Sequence, residues 1–131
     1  MKNLVTYFWW AVTFLGTLVI YLVFFAVPSW RFVVIIASVE IICWGIKVFY
    51  KKDRPIPYPR TNLYSYIDAN SFPSIHTARA AAVGIWLFGP LGLALAAVIG
   101  YSRIFLKKHY TIDVVAGAMI GALISTLMLC L

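Results

Sequence analysis

The sequence predicts an all-α fold, a polytopic bundle of about five transmembrane helices. Of its 131 residues, 63% are hydrophobic and 11% are charged, whereas a soluble domain has roughly 45–50% apolar and about 25% charged residues. Several stretches are apolar enough, and long enough as helices, to cross a hydrocarbon core about 30 Å thick. The length suits one domain, so residues 1–131 are predicted to form a single integral-membrane domain.

The first two predicted spans are separated by a short turn. Leu4–Val27 contains no charged residue and is long enough to cross the bilayer. A cleaved signal peptide is the alternative, but its apolar region would be shorter, roughly 7–15 residues. Pro28 and Ser29 form the predicted turn, and Trp30–Tyr50 is the second span.

A polar segment and an ambiguous apolar region follow. Residues Lys51–Ser71 form the long loop, where three prolines exclude a regular helix. Hydropathy alone would make Ala80–Ser102 one span, but Gly89-Pro90-Leu91-Gly92 in its middle is a strong helix breaker. The alternative is a helical hairpin with Pro73–Phe88 and Leu91–Lys108 as its arms.

The choice between one span and a hairpin decides where the two histidines lie. One span would put His76 and His109 on opposite faces of the membrane, whereas a hairpin puts them on the same face. The last predicted span is Thr111–Leu131.

Three polar clusters contain candidate catalytic or phosphate-binding residues. They are Lys47–Pro55, Ser71–Arg79 and Ser102–Gly117. Lys47, Arg54 and Arg103 would form a cationic cage for a phosphate dianion, since charges near membrane depth are costly and usually functional. Pro73 can open a helix at its first position, and the backbone N–H groups near Ser74–His76 would then point at an anion.

The two histidines suggest nucleophilic and acid catalysis. His109 and Asp113 are four residues apart and so share a helix face. The carboxylate can hold the imidazole in one tautomer, which makes His109 a nucleophile. His76 is left to protonate the leaving oxygen as a general acid. A histidine and an aspartate at this spacing, taken alone, more often form a structural hydrogen bond. The catalytic hypothesis therefore depends on all three clusters together.

The clusters resemble the signature of the type 2 phosphatidic acid phosphatase superfamily, K-x6-RP, PSGH and SR-x5-H-x3-D. The matching residues are Lys47, Arg54 and Pro55, then Pro73, Ser74 and His76, and then Ser102, Arg103, His109 and Asp113, with Gly117 in a frequent extension.

The resemblance implies a metal-independent hydrolase with no cofactor. It implies a phosphohistidine at His109, a general acid at His76, and phosphate binding by Lys47, Arg54, Ser74 and Arg103. It also favours the hairpin, because the three motifs of the family converge on one membrane face. Two features depart from the pattern. Ile75 replaces the glycine of the second motif, and membrane members typically have six spans, whereas about five are predicted here.

The substrate class is suggested by Arg79. Thr77-Ala78-Arg79-Ala80 resembles the end of the second motif in members that act on isoprenoid diphosphates, and Arg79 would contact the second phosphate. The leading hypothesis is therefore an isoprenoid diphosphate phosphatase. The alternatives are a phosphatase of phosphatidic acid or phosphatidylglycerol phosphate and, from another class, a non-catalytic lipid-phosphate binding protein.

The expected partners are a lipid phosphate and the membrane lipids. Nucleic acid is not expected despite the net charge of +7, because the basic residues lie between apolar spans without a nucleic-acid motif. Gly117 and Gly121 form a G-x-x-x-G step that leaves open either a homo-oligomer or close packing within one chain. Glu40, inside the second span, is either a functional carboxylate or a paired interhelical group.

The charge distribution predicts an active site that faces the cytoplasm. Four of the cations on the active-site side, Lys47, Arg54, Arg79 and Arg103, are candidate phosphate contacts and are not counted. The active-site side still has more cations than the other side, where Arg31 is the single basic residue. Lysine and arginine in short loops favour the cytoplasm. The cations that remain are Lys2, Lys51, Lys52, Arg60, Lys107 and Lys108.

Overall fold

The structure is a computed structural model that describes residues 3–26 and 29–131. All regular secondary structure within these ranges is helical, which confirms the predicted all-α fold. Val27 and Pro28, at the end of the first predicted span and in the predicted turn, lie outside the described residues. The helices are α1 (Asn3–Ala26), α2 (Trp30–Phe49), α3 (Leu63–Asp68), α4 (Ile75–Phe88), α5 (Leu93–Phe105) and α6 (Thr111–Cys130), with a 3₁₀ turn at Gly89–Gly92 between α4 and α5.

Four segments of the described chain are long and apolar enough to cross a membrane, so the protein is an integral membrane protein. They are Leu4–Val23, Trp30–Phe49, Ile75–Phe105 and Thr111–Cys130. Large hydrophobic side chains cover their outer faces; Leu4 is 83% exposed and Phe14 is 68% exposed. Such surfaces are stable in lipid rather than in water.

The third of these segments is a helical hairpin, one of the two alternatives that its glycines and proline left open and the one that the family resemblance favours. Gly84 contacts the backbone of Gly92, and Thr77 lies beside Gly100, so α4 and α5 run antiparallel. The hairpin divides one 31-residue candidate span into two arms of 14 and 13 residues. At 1.5 Å per residue each arm is about 20 Å long, shorter than the bilayer core. The described chain thus has five long helices, but four segments that qualify as spans.

Helix α4 is the centre of the bundle, and α1, α2, α5 and α6 all pack against it. Its buried face is rich in alanine, which allows neighbouring helices to approach closely. Gly117 and Gly121 of α6 lie directly against the carbonyl oxygens of Ser74 and Ala78, where a Cβ atom would collide. The G-x-x-x-G step therefore packs within one chain, the second of the two predicted alternatives.

The polar segment contains helix α3, which the sequence analysis did not expect. The expectation was wrong because its prolines all precede Asn62, where the helix is capped. The Asn62 side chain accepts a hydrogen bond from the Ser65 N–H, and Ser65 Oγ accepts one from the Asn62 N–H, each at 2.8 Å. This reciprocal capping box stabilises a short helix.

Candidate active site

The candidate site residues meet at one end of the bundle. Lys47 is in the last turn of α2, Ser74 precedes α4, Arg103 is in the last turn of α5, and His109 lies just before α6. One cavity is lined by Lys47, Arg54, His76, Arg79 and His109. A second cavity, of about 360 Å³, extends from Arg54, His76 and Arg103 toward α1. The fold therefore places both histidines at one end of the bundle, as the hairpin predicted.

Two guanidinium groups in this site have buried donors without a partner. Arg54 and Arg103 are 7% and 5% exposed, and in each the Nε atom is buried and has no hydrogen-bond acceptor among the described residues. Buried donors are nearly always satisfied in folded proteins. The two unsatisfied donors point to an anion that would complete them, and arginine binds phosphate well.

Neighbouring groups hold Lys47 and Arg54 in place. Lys47 Nζ donates to the Asn70 carbonyl oxygen, and Asn70 Nδ2 donates back to the Lys47 carbonyl oxygen at 2.7 Å. Arg54 Nη2 donates to the Asp68 carbonyl oxygen at 2.5 Å and lies 3.2 Å from Asp68 Oδ1. Asp68 and Asn70 were missed by the sequence analysis, because they lie outside the three clusters and only the loop conformation brings them to the cations.

Helix α4 begins at Ile75, two residues later than predicted from Pro73. Ser74 occupies the N-cap position, but its hydroxyl does not cap the helix; it lies 3.0 Å from Thr77 Oγ1. The Ser74 N–H donates to the Asp113 carbonyl oxygen at 2.9 Å, which ties α4 to α6. The first N–H groups of a helix have no intrahelical acceptor, so this end of α4 favours an anion.

His109 and Asp113 are close but not hydrogen-bonded. His109 Nδ1 lies 3.8 Å from Asp113 Oδ2, which is longer than a hydrogen bond. Asp113 Oδ2 instead accepts from the Tyr110 N–H at 2.8 Å, and Oδ1 accepts from Lys52 Nζ at 2.6 Å. The carboxylate faces Nδ1 of the imidazole across this gap, and Nε2 is the ring nitrogen that does not face Asp113.

Burial lowers the pKa of His109 to about 4. The positive charges of Arg103, Arg54 and Lys47 lower this pKa further, while Asp113 opposes the shift. A pKa this far below 7 leaves the imidazole neutral at physiological pH. A neutral ring has the lone pair that a nucleophile requires.

Arg79 is bound to Glu40 at the inner end of the site. Arg79 Nε and Nη2 donate to Glu40 Oε1 and Oε2 at 2.5 and 2.8 Å, and Trp44 Nε1 donates to Oε2 at 3.2 Å. Glu40 is thus the paired interhelical group that was one of its two predicted alternatives. Two of the three guanidinium nitrogens of Arg79 are occupied by this pair.

Ile75, which replaces the glycine of the family motif, is 6% exposed and packs in the core with Ile35 and Val39. We expect Ile75→Gly to keep kcat/KM within about tenfold, or about 1.4 kcal/mol, because the backbone N–H remains. It should destabilise the fold by about 2 kcal/mol or more, because a buried side chain is lost. Phosphate release and thermal unfolding in detergent measure the two effects, with Ile75→Val as the control. A complete loss of activity in folded protein would show that this side chain shapes the site.

The fold and the site define a helical membrane protein with a buried neutral histidine among cations, a class suited to phosphate esters of lipids. A model of the PAP2 superfamily matches residues 28–131. The chain belongs to the PAP2 superfamily, and the resemblance seen in its three motifs is confirmed.

Known proteins that are similar to this chain include a bacterial permease protein and a protein of solved structure. The bacitracin transport permease protein BcrC of Bacillus licheniformis is 45% identical over 60 residues, which are 41% of this chain and 30% of that protein. The crystal structure of Aquifex aeolicus LpxE superposes with a TM-score of 0.76 at 23% identity, covering 98% of this chain and 87% of that one. The structural likeness shows a shared fold.

Proposed function

We propose that this protein is a membrane lipid phosphatase that hydrolyses the terminal phosphate of an isoprenoid diphosphate through a phosphohistidine on His109. The observation that carries the proposal is the buried imidazole of His109 in a site with two buried arginine donors that have no acceptor among the described residues. A neutral nucleophile beside unsatisfied cationic donors suits attack on a phosphate dianion.

The reaction proceeds in two displacements. In the first, His109 Nε2 attacks the terminal phosphorus, the bond from phosphorus to the bridging oxygen breaks, and His76 protonates that leaving oxygen. In the second, water loses a proton to His76 and attacks the phosphohistidine, which releases inorganic phosphate and restores His109. The negative charge is held by Lys47, Arg54, Arg103 and the end of α4 at Ser74. Asp113 faces the imidazole as it becomes positively charged.

Two features support an isoprenoid diphosphate as the substrate. Arg79 lines the same cavity as both histidines, and its Nη1 atom is not used by the Glu40 pair, so it can bind a second phosphate. On the other side of Arg79 lies an apolar cavity of about 350 Å³, lined by residues such as Ile20 and Ile36. An apolar space beside the second-phosphate position suits a hydrocarbon chain.

We expect a farnesyl-type or longer diphosphate to be hydrolysed with higher kcat/KM than phosphatidic acid or phosphatidylglycerol phosphate. Phosphate release by purified protein in detergent with excess EDTA measures this, because side chains rather than a metal supply the positive charge. A double variant, Glu40→Gln with Arg79→Met, should lose the preference without leaving an unpaired carboxylate inside the bundle. Glu40→Gln alone is the matched control.

Three results would contradict this assignment. Higher kcat/KM on phosphatidic acid or phosphatidylglycerol phosphate would move the protein to the glycerolipid phosphatases. A strict Mg²⁺ requirement would exclude the metal-independent mechanism. Binding of all these lipids without any phosphate release would make the chain a non-catalytic lipid-phosphate binding protein.

The cation excess at the active-site end supports a cytoplasmic orientation. We expect Ile56→Cys, in the polar loop, to react with a membrane-impermeant thiol reagent only after the membrane is opened. Trp30→Cys, at the opposite end, should react in intact cells and is the control; Cys43 and Cys130 are removed in both. Ile56 and Trp30 are 49% and 68% exposed, so neither side chain is covered by the rest of the protein. Labelling of Ile56→Cys in intact cells would show that the loop faces outward and that its cations serve substrate binding.

A further inference from the structure

The Asp113 carboxylate is held by partners on both of its oxygens. Its side chain is completely buried. Lys52 Nζ donates to Oδ1 at 2.6 Å, the Tyr110 N–H donates to Oδ2 at 2.8 Å, and Oδ2 is the oxygen that faces His109 Nδ1. These two donors together determine the rotation of the carboxylate about its Cβ–Cγ bond, and therefore which oxygen faces the imidazole.

Lys52 is built into the site rather than extended into solvent. Its side chain is 27% exposed, and its ammonium lies 4.6 Å from the centre of the Tyr110 ring and 5.9 Å from that of Phe72. Its carbonyl oxygen accepts a hydrogen bond from the Ser71 N–H at 2.6 Å. One residue thus connects the polar loop, the segment before α4 and the first turn of α6.

We infer that Lys52 is a positioning residue for the nucleophile, acting on His109 through Asp113. The inference rests on the proposed function and adds to it a residue that lies outside the roles taken from the family motifs. Exposed ion pairs contribute little to stability. Here one partner is fully buried, and a buried carboxylate that loses its cation is strongly destabilised in its position.

The loss of Lys52 would change the direction in which the carboxylate points. Asp113 would keep only the Tyr110 N–H, and its free oxygen would be drawn toward the cations that belong to the phosphate. A carboxylate turned in this way no longer faces Nδ1 when Nε2 binds phosphorus. The substrate contacts themselves remain, so the effect should fall on kcat and not on KM.

Lys51 offers a matched control one residue away. Its ammonium lies over the Tyr66 ring at 5.8 Å and makes no ion pair with Asp113. Lys51→Met and Lys52→Met remove the same charge and the same number of atoms from neighbouring positions. A general effect of loop charge on substrate attraction would appear in both variants, whereas positioning of Asp113 would appear only in the second.

The experiment compares steady-state phosphate release by these variants with that of the wild type. We expect Lys52→Met to lower kcat by about tenfold to a hundredfold, the size of effect produced by small misplacements of reacting groups, with KM changed by less than about twofold. Lys51→Met should keep both constants. Lys52→Met with the kcat of the wild type, or a loss shared equally by Lys51→Met, would overturn the inference.

Chemical rescue tests the same inference in protein that is already folded. Lys52→Cys in a Cys130→Ser background is assayed before and after treatment with 2-bromoethylamine, which alkylates the thiol and restores an ammonium at nearly the length of lysine. Cys43 is completely buried and is left in place. We expect most of the lost kcat to return, and no return of kcat after complete alkylation would overturn the inference.

Failure of the proposed function would give a different result. The wild-type protein would then release no phosphate, and His109 would carry none.

Discussion

We expect His109→Ala to lower turnover by about 10⁴-fold or more, the scale seen when a covalent nucleophile is removed. The phosphorus atom then has no imidazole to attack it, while Lys47, Arg54 and Arg103 remain in place. Substrate affinity should therefore change little. Phosphate release gives the rate, and binding of a non-hydrolysable diphosphate analogue to the same preparation gives the affinity.

The nucleophile is identified directly by trapping. Wild-type protein quenched during turnover with radiolabelled substrate should carry acid-labile phosphate on His109, and His109→Ala should carry none. Asp113→Asn is the graded control: it keeps a residual activity, because the imidazole is still present and only its facing charge is lost. Wild-type rates in His109→Ala, or trapped phosphate on another residue, would show that the assignment is wrong.

Replacing His76 with glutamine has the second largest expected effect, a loss of about 10²–10⁴-fold on a lipid monophosphate such as phosphatidic acid. From a monophosphate the leaving group is a lipid alkoxide, which is poor and needs a proton as the bond to phosphorus breaks. The proposed diphosphate instead releases a lipid monophosphate, a better leaving group, so its loss should be smaller. An aryl phosphate with an acidic phenol needs much less help, so on that substrate the same variant should retain most of the rate of phosphohistidine formation. Burst kinetics measure this step separately from hydrolysis.

The comparison of the two substrates separates an acid from a structural residue. If His76 only supported the fold, His76→Gln would lose activity equally on lipid and aryl phosphates. Equal losses on both substrates in folded protein would therefore remove His76 from the role of general acid. The thermal unfolding temperature of the variant in detergent provides the check on folding.

Much of the fold follows from the order of apolar and polar residues. The uncharged runs predict the long helices because a bilayer accepts only segments with satisfied backbone groups. Gly89-Pro90-Leu91-Gly92 favours the hairpin because a proline inside a helix removes a backbone hydrogen bond and collides with the preceding turn. Helix α3 was not predicted, since its capping box depends on two short polar side chains in a segment dominated by its prolines.

The candidate site was only partly visible in the sequence. Short spacings keep His109 near Asp113 and His76 near Ser74. His109 and Ser74 nevertheless lie just before α6 and α4, so the helix face that His109 and Asp113 were predicted to share is absent. Lys52 with Asp113 and Glu40 with Arg79 are separated by 61 and 39 residues. Such pairs depend on which helix faces meet, and no local pattern records that.

The sequence by itself determined the helical membrane fold, the family and the motif residues of the candidate site. Only the tertiary structure decided how their charges are partnered: Asp113 is held by Lys52 and stands 3.8 Å from His109, and Arg79 is already bound by Glu40. The physical reason is that apolar length and helical period are local properties, whereas a buried charge takes its partner from whichever chain segment packs against it.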